Sequence, residues 1–303
     1  MTVTRVLCLW IALALDVSYA VAQSTTSMTI VGSDTLAALN THWANAFQTS
    51  QPSASIDVQA SGSATAPPAL AAGSATIGAM SRRMTQSELA LFSGNASLTL
   101  TEVIIGYDAI AILVHRDNPL TEISLEQLER IFSETRGCAS GEPIRLWSDL
   151  IASDILGNRA ITPYGRPASS GTYGFFRHVV LCGGNPVPWI NELAGTAAIV
   201  QAVAQEMTAL GYVGGDIQHS GVRRLGLTMG QGPAVRPSDI AYPLRRPLYL
   251  YFTRLRGEQL NTMTCEFAQF VLSDRGQELV SLAGFSPLAP LSAQAASRRV
   301  CDG

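Results

Sequence analysis

Four polar turns carry the groups in this sequence that could do chemistry: Gly32-Ser33-Asp34-Thr35, Ala60-Ser61-Gly62-Ser63, Ser81-Arg82-Arg83, and Arg166-Pro167-Ala168-Ser169-Ser170-Gly171-Thr172. They supply hydroxyls, one carboxylate and guanidinium groups, a set suited to holding a ligand by hydrogen bonds. Ser170-Gly171-Thr172 falls at a predicted helix start. There it offers two hydroxyls and exposed amides, and the glycine lets a bound group approach the backbone. Covalent routes are few. All 20 basic residues are arginine, so P-loop phosphate binding, Schiff-base chemistry and Ser-x-x-Lys hydrolysis all lack their lysine. His42, His115, His178 and His219 lack ligand spacing, so neither a metal site nor any cofactor is expected. A serine hydrolase is an alternative, because His178 follows Ser170 by eight residues, but there is no Gly-x-Ser-x-Gly elbow.

The elements that position these turns follow from periodicity. Met28 to Val31 reads as a strand, and Leu36, Leu39, Trp43 and Phe47 share one helical face after the first turn. Ile56 and Val58 lead into the second turn, with Pro67 suited to a first helical turn and Gly73 to its stop. Thr76 to Met80 leads into the third, and Thr85 with Glu88 reads as a capping box. Such alternation implies an α/β fold with a largely parallel sheet, whose ligands gather at the carboxyl ends of strands. Farther on, Ser124 with Gln127 caps a helix, and Leu260, Met263, Phe267 and Phe270 line another. Asp274 with Gln277 is expected to cap a last one. The apolar runs Ile104 to Val114 and Leu248 to Phe252 are candidates for strands that cross between two domains.

With 47% hydrophobic and 14% charged residues the chain is not disordered. A net charge of −3 without a basic run gives no footprint for nucleic acid. Residues 1–22 read as a signal peptide: Arg5, the apolar stretch Val6 to Leu15, and Ala20-Val21-Ala22 before Gln23. Cleavage after Ala22 leaves a soluble, exported chain of 281 residues. Cys8 leaves with the leader. Cys138, Cys182, Cys265 and Cys301 remain, an even number without Cys-x-x-Cys spacing, which reads as two disulfides with three connectivities open.

Six stretches then resemble, in order, the phosphate-binding proteins of ABC-type phosphate uptake, within the type II periplasmic binding protein fold. They are Gly32 to Leu36, Gly62 to Thr65, Ile77 to Arg82, Gly106-Tyr107-Asp108 with His115 to Pro119, Arg166 with Ser170-Gly171-Thr172, and Gly284 to Leu288. The resemblance implies two domains joined by two hinge crossovers, residues 23–108 with 243–303 and an inserted 109–242. It also implies a monomer that closes on phosphate or a similar oxyanion and delivers it to a membrane permease. Pairing the cysteines by domain gives 138 with 182 and 265 with 301. A signalling or adhesion module on the same fold is a further alternative.

What the resemblance implies for the site is one arginine fork, hydroxyls and helix amides replacing the anion's water. The residues it points to are Thr35, Ser63, Ser81, Arg166, Ser170, Gly171 and Thr172. Asp34 is either a helix cap or the acceptor of the proton on HPO4²⁻. The chain departs from the family twice. Ser81 stands where an aspartate acceptor is expected, and Ala168 stands where an acid would pair with the arginine, leaving Arg166 without that partner. Arg82 and Arg83 are read as solvated rather than as a source of potential at the cleft.

Overall fold

The computed structural model describes residues 26–93, 97–135, 137–215, 217–230 and 232–301. The leader over residues 1–22, its cleavage point and Cys8 lie outside them.

Three strand-to-helix units open the chain, each with a polar turn at the carboxyl end of its strand. β1 (Thr26–Gly32) leads through a 3-10 turn at Asp34–Leu36 into α1 (Ala37–Ser50). β2 (Ala54–Gln59) leads through Ser63–Thr65 into α2 (Ala66–Ala71), and β3 (Ile77–Met80) into α3 (Gln86–Ser93). The face formed by Leu36, Leu39, Trp43 and Phe47 is the one buried. Trp43 Nε1 also donates to Gly276 O at 2.9 Å, tying α1 to the far end of the sequence. The Thr85/Glu88 box is formed, with Glu88 Oε2 accepting Thr85 N at 2.8 Å and Thr85 Oγ1 accepting Glu88 N at 3.3 Å.

β4 (Leu98–His115) leaves this layer and enters a second one. There the chain forms β5 (Glu122–Ser124), α4 (Leu125–Phe132), β6 (Thr162–Gly165), α5 (Gly171–Val179), β7 (Asn191–Glu192), α6 (Thr196–Gln205), β8 (Ala209–Gly214), β9 (Val222–Arg224) and β10 (Gly226–Thr228). β11 (Arg245–Leu255) returns, and α7 (Thr262–Leu272), α8 (Asp274–Leu282) and α9 (Pro290–Val300) follow. The sheet order is β2-β1-β3-β11-β4-β8-β6-β7, with β9 beside β4 and a separate β5–β10 ladder. The first half of β4 pairs antiparallel with β11, and the second half pairs with β8 and β9. Ser124 and Gln127 form the expected capping box of α4.

The buried apolar residues segregate into separate cores. One set draws on residues 28–105 and 248–300, the other on residues 110–244. We therefore propose the expected division, 23–108 with about 243–303 as lobe 1 and 109–242 as lobe 2, with Leu244 packed on the lobe 2 side of the joint. Among the described residues no helix is long and apolar enough to cross a membrane.

Two expectations for the C-terminal part are corrected. Asp274 does not cap α8. Ser273 does, accepting from Gly276 N, because its hydroxyl stands in extended backbone immediately before the helix. Gln277 is buried instead, donating to Ile105 O and Val271 O and accepting from Leu288 N. Nor is α8 the last helix, since α9 follows, opened by Pro290.

Each lobe holds one disulfide. Cys138–Cys182 spans 6.1 Å between Cα atoms, and Cys265–Cys301 spans 5.3 Å and fastens α7 to the end of α9. Peptide mapping without reductant is expected to recover these two pairs, and reduction to cost each lobe about 2–4 kcal/mol of stability. A peptide joining the two sets would contradict the division at the hinge.

Candidate functional site

The polar turns of lobe 1 meet the start of α5 in lobe 2. Among the contacts that span the gap, four join these turns, and each uses residues singled out from the sequence. The Asp34 carboxylate is ion-paired with Arg166 Nη2. Thr35 Oγ1 lies 2.9 Å from Thr172 Oγ1. Ala64 N donates to Ser169 O at 3.1 Å. Gly171 packs so closely on lobe 1 that a Cβ there would stand 2.1 Å from Ser63 Oγ and 2.4 Å from Ser81 Oγ. The lobes are closed on one another, and glycine is required at 171 for that closure.

On the lobe 1 side the hydroxyls form a cluster. Ser33 Oγ donates to Ser81 Oγ at 3.0 Å, Ser63 Oγ lies 3.3 Å from Ser81 Oγ, and Ser81 N donates to Ser63 Oγ at 3.1 Å. All three serines are buried. Ser33 was not foreseen as part of this group. On the lobe 2 side, Ser170 caps α5, its Oγ accepting from Thr172 N and Tyr173 N. A hydroxyl that accepts twice still has its own hydrogen to give, so capping and ligand binding coexist at this serine.

Arg166 follows β6, and its guanidinium is only 1% exposed. Its backbone is fixed from below: Arg166 N donates to Tyr212 Oη at 3.2 Å, and the Tyr212 ring stacks on Phe176 of α5 at 3.8 Å. Burial pulls the guanidinium down to about 10, with Arg246 nearby adding to the fall, so it remains cationic at neutral pH. Beyond its bond to Asp34, Arg166 keeps Nε and Nη1 buried without a hydrogen-bond partner, and so does Asp34 Oδ1. Buried polar atoms are nearly always hydrogen-bonded, to protein, ordered water or a ligand.

One expectation about charge, the solvation of Arg82, is corrected here, and Arg166 has a carboxylate partner. It comes from the other lobe rather than from position 168, because closing the lobes carries Asp34 to the guanidinium. That ion pair also takes Asp34 away from the amides of its own turn, and Ser33 stands at the cap position with no side-chain cap bond. Arg82 is not solvated, since it forms a two-point pair with Glu88 at 2.6 and 2.7 Å and packs over Gly174. Arg83 is exposed, as expected, and is paired with Glu102 at 2.8 Å.

Two residues near the hinge had no place in the sequence reading of the site. Arg246 and Asp108 are both buried and ion-paired at 2.7 Å. Asp108 lay within a matched stretch, so that signal was present; Arg246 lay at the head of an apolar strand with no motif around it. The pair behind the hydrolase alternative is not brought together. Ser170 caps α5 and His178 sits in its last turn, roughly 12 Å apart along a helix rising 1.5 Å per residue.

A family model described as a PBP superfamily domain matches residues 18–275. The phosphate-binding protein PstS of Pseudomonas aeruginosa is 36% identical over 280 residues, covering 90% of this chain and 87% of that protein. Among solved structures, a putative phosphate ABC transporter substrate-binding protein with bound phosphate from Clostridium perfringens superposes with a TM-score of 0.72 at 24% identity. That match covers 87% of this chain and 100% of the other. An ABC-type phosphate transport receptor from Vibrio cholerae gives 0.67 at 24% identity, covering 86% and 100%. These structural matches carry the two-domain type II fold.

Proposed function

This chain belongs to the PstS phosphate-binding proteins of the PBP superfamily, and from that premise we propose that it captures inorganic phosphate between its lobes in the periplasm and presents it to an ABC-type permease. The family is one of transport binding proteins, and no chemical step on the ligand is part of this reading. One observation carries it to the level of residues. Across the closed cleft, a buried donor fork and a buried acceptor face each other with unused valence: Arg166 Nε and Nη1 on one side, Asp34 Oδ1 on the other.

Donors alone would suit any tetrahedral oxyanion. A carboxylate oxygen added to them suits one that carries a proton, because it accepts from the hydroxyl of HPO4²⁻ and repels fully deprotonated sulfate. Asp34 thereby takes the role that a residue at the Ser81 position would otherwise fill, and Ser81 becomes one of the hydroxyl donors with Thr35, Ser63 and Ser170, while Thr172 stands behind Thr35 at 2.9 Å. The start of α5 adds its amides and the positive end of its dipole.

Calorimetric titration of the ligand-stripped protein is expected to show binding of phosphate and of arsenate, which is also protonated at neutral pH, and much weaker binding of sulfate and molybdate. Asp34→Asn is expected to weaken phosphate by about 1.5–3 kcal/mol, the worth of a hydrogen bond to a charged group, and to leave sulfate unchanged or improved. A phosphate-to-sulfate ratio that does not move in this variant would remove Asp34 as the selectivity residue.

A further inference from the structure

Arg246 is fully buried at the joint between the lobes, and phosphate capture as read above does not use it. The register of β4 and β11 sets it directly opposite Asp108. Its Nε and Nη2 both donate to Asp108 Oδ2, at 3.0 and 2.7 Å, and Asp108 Oδ1 accepts from Gly215 N at 2.7 Å. The backbone of Gly214 passes so near that a Cβ would stand 2.6 Å from Arg246 Nη2 and 2.8 Å from Asp108 Oδ2. The guanidinium is thus held on more than one side. From that position Nη2 also donates to Thr172 Oγ1 at 2.9 Å, and Thr172 Oγ1 lies 2.9 Å from Thr35 Oγ1.

The direction of these bonds follows from what each group can do. A guanidinium only donates, so Thr172 Oγ1 is the acceptor. An oxygen that has accepted from a cation is a poorer second acceptor and a better donor, because hydrogen bonds in a chain polarise one another. Thr172 therefore gives its hydrogen to Thr35, and the Thr35 hydrogen is turned outward. We propose that Arg246, anchored by Asp108, is a positioning residue that sets a one-way chain of donors, Arg246 to Thr172 to Thr35, whose last hydrogen is presented to the captured anion. The proposal rests on the reading of Thr35 as an anion donor. The chain starts on a hinge strand, passes through lobe 2 and ends in lobe 1, so it is complete only when the lobes are closed. The Arg246–Asp108 pair is neutral as a unit. Its contribution is the orientation of two hydroxyls rather than net attraction of the anion.

The test is a mutant cycle on the full chain, read by calorimetric titration with inorganic phosphate. Arg246→Gln is made together with Asp108→Asn, so that no unpaired charge is left buried. This change and Thr35→Val are each expected to lower affinity on the order of tenfold, about the worth of one hydrogen bond. Combined, they should be about as weak as the weaker of the two, because Thr35→Val already removes the end of the chain. Ser63→Ala, which lies outside the chain, should instead multiply its loss with that of the Arg246/Asp108 change. Thr35→Ser, which keeps the hydroxyl, should bind like wild type. An unaltered affinity in the Arg246/Asp108 variant, or a loss that multiplies with that of Thr35→Val, would overturn the proposal. Should the double change prevent folding, Arg246→Lys keeps a cation beside Asp108 without the planar fork and is judged by the same two outcomes. If the wild-type chain takes up no phosphate, both this proposal and the functional reading are refuted. If it binds phosphate and the cycle is multiplicative, only the chain of donors is lost.

Discussion

Arg166→Ala is expected to remove most phosphate affinity while leaving both lobes folded. The guanidinium is a fully buried cation that reaches the cleft with two nitrogens free of protein partners, and truncating one partner of a buried charge-assisted contact costs about 2–5 kcal/mol. At 1.4 kcal/mol per decade, that is a loss of roughly 30-fold to several thousand-fold. Asp34, left without its partner, retains some access to water, which limits the damage to the fold. Arg166→Lys should recover only part of the loss, because an ammonium cannot reproduce a two-point fork. Ser170→Ala should cost about 1 kcal/mol, the scale of a single neutral hydrogen bond. Parallel titrations of the three variants with phosphate check the order, and wild-type affinity in Arg166→Ala would place the anion elsewhere.

Gly171→Ala is expected to do comparable harm for a steric reason. Alanine is the better helix former by about 1 kcal/mol, so lobe 2 alone should be unharmed by the change. The added methyl meets Ser63 Oγ, Ser81 Oγ and Ser63 Cβ at 2.1, 2.4 and 2.9 Å, and all of these belong to lobe 1. The only relief is to hold the lobes apart. Overpacking of this kind costs about 1–3 kcal/mol, equivalent to as much as roughly 100-fold in affinity. The diagnostic combination is an unchanged melting temperature without ligand, weak phosphate binding, and a radius of gyration that phosphate no longer reduces. A variant that binds and compacts like wild type would show that the closed contacts are not those of the ligand-bound state.

How much of this was legible in the sequence depended on the range of the interaction. The turns at Asp34–Thr35, Ser63, Ser81 and Ser170–Thr172 could be read because a strand that gives way to a helix leaves its polar residues in a few adjacent positions. Arg166 could be read with them, being close in sequence to the cap of α5. The partner of Arg166 could not, since it is fixed by how two separately folded lobes meet. Ala168 showed only that the acid expected two residues after Arg166 is absent. Arg246 was illegible for a related reason. Its significance comes from a strand register that sets it opposite Asp108, 138 residues earlier, and from Gly214 passing beside both, none of which leaves a local pattern. Asp274 was misread because two capping residues stood side by side, and backbone conformation chose Ser273.

The meeting of the two crossover strands bears on the order in which this protein matures as it is synthesised. Lobe 2 is a single continuous stretch whose two ends come together, with Ile110 N bonded to Leu244 O at 2.9 Å. Everything it needs has emerged once Leu244 has. Lobe 1 begins first but finishes later, because β11, which lies between β3 and the first half of β4, is made only after the whole of lobe 2. Until then β3 and β4 each present an unpaired edge, the kind of surface that recruits other strands. Domains tend to fold as units, and under the division proposed above the inserted lobe is complete before the lobe bearing the amino terminus. The interval of greatest exposure to misassembly ends when residues 245–255 arrive and pair on both sides.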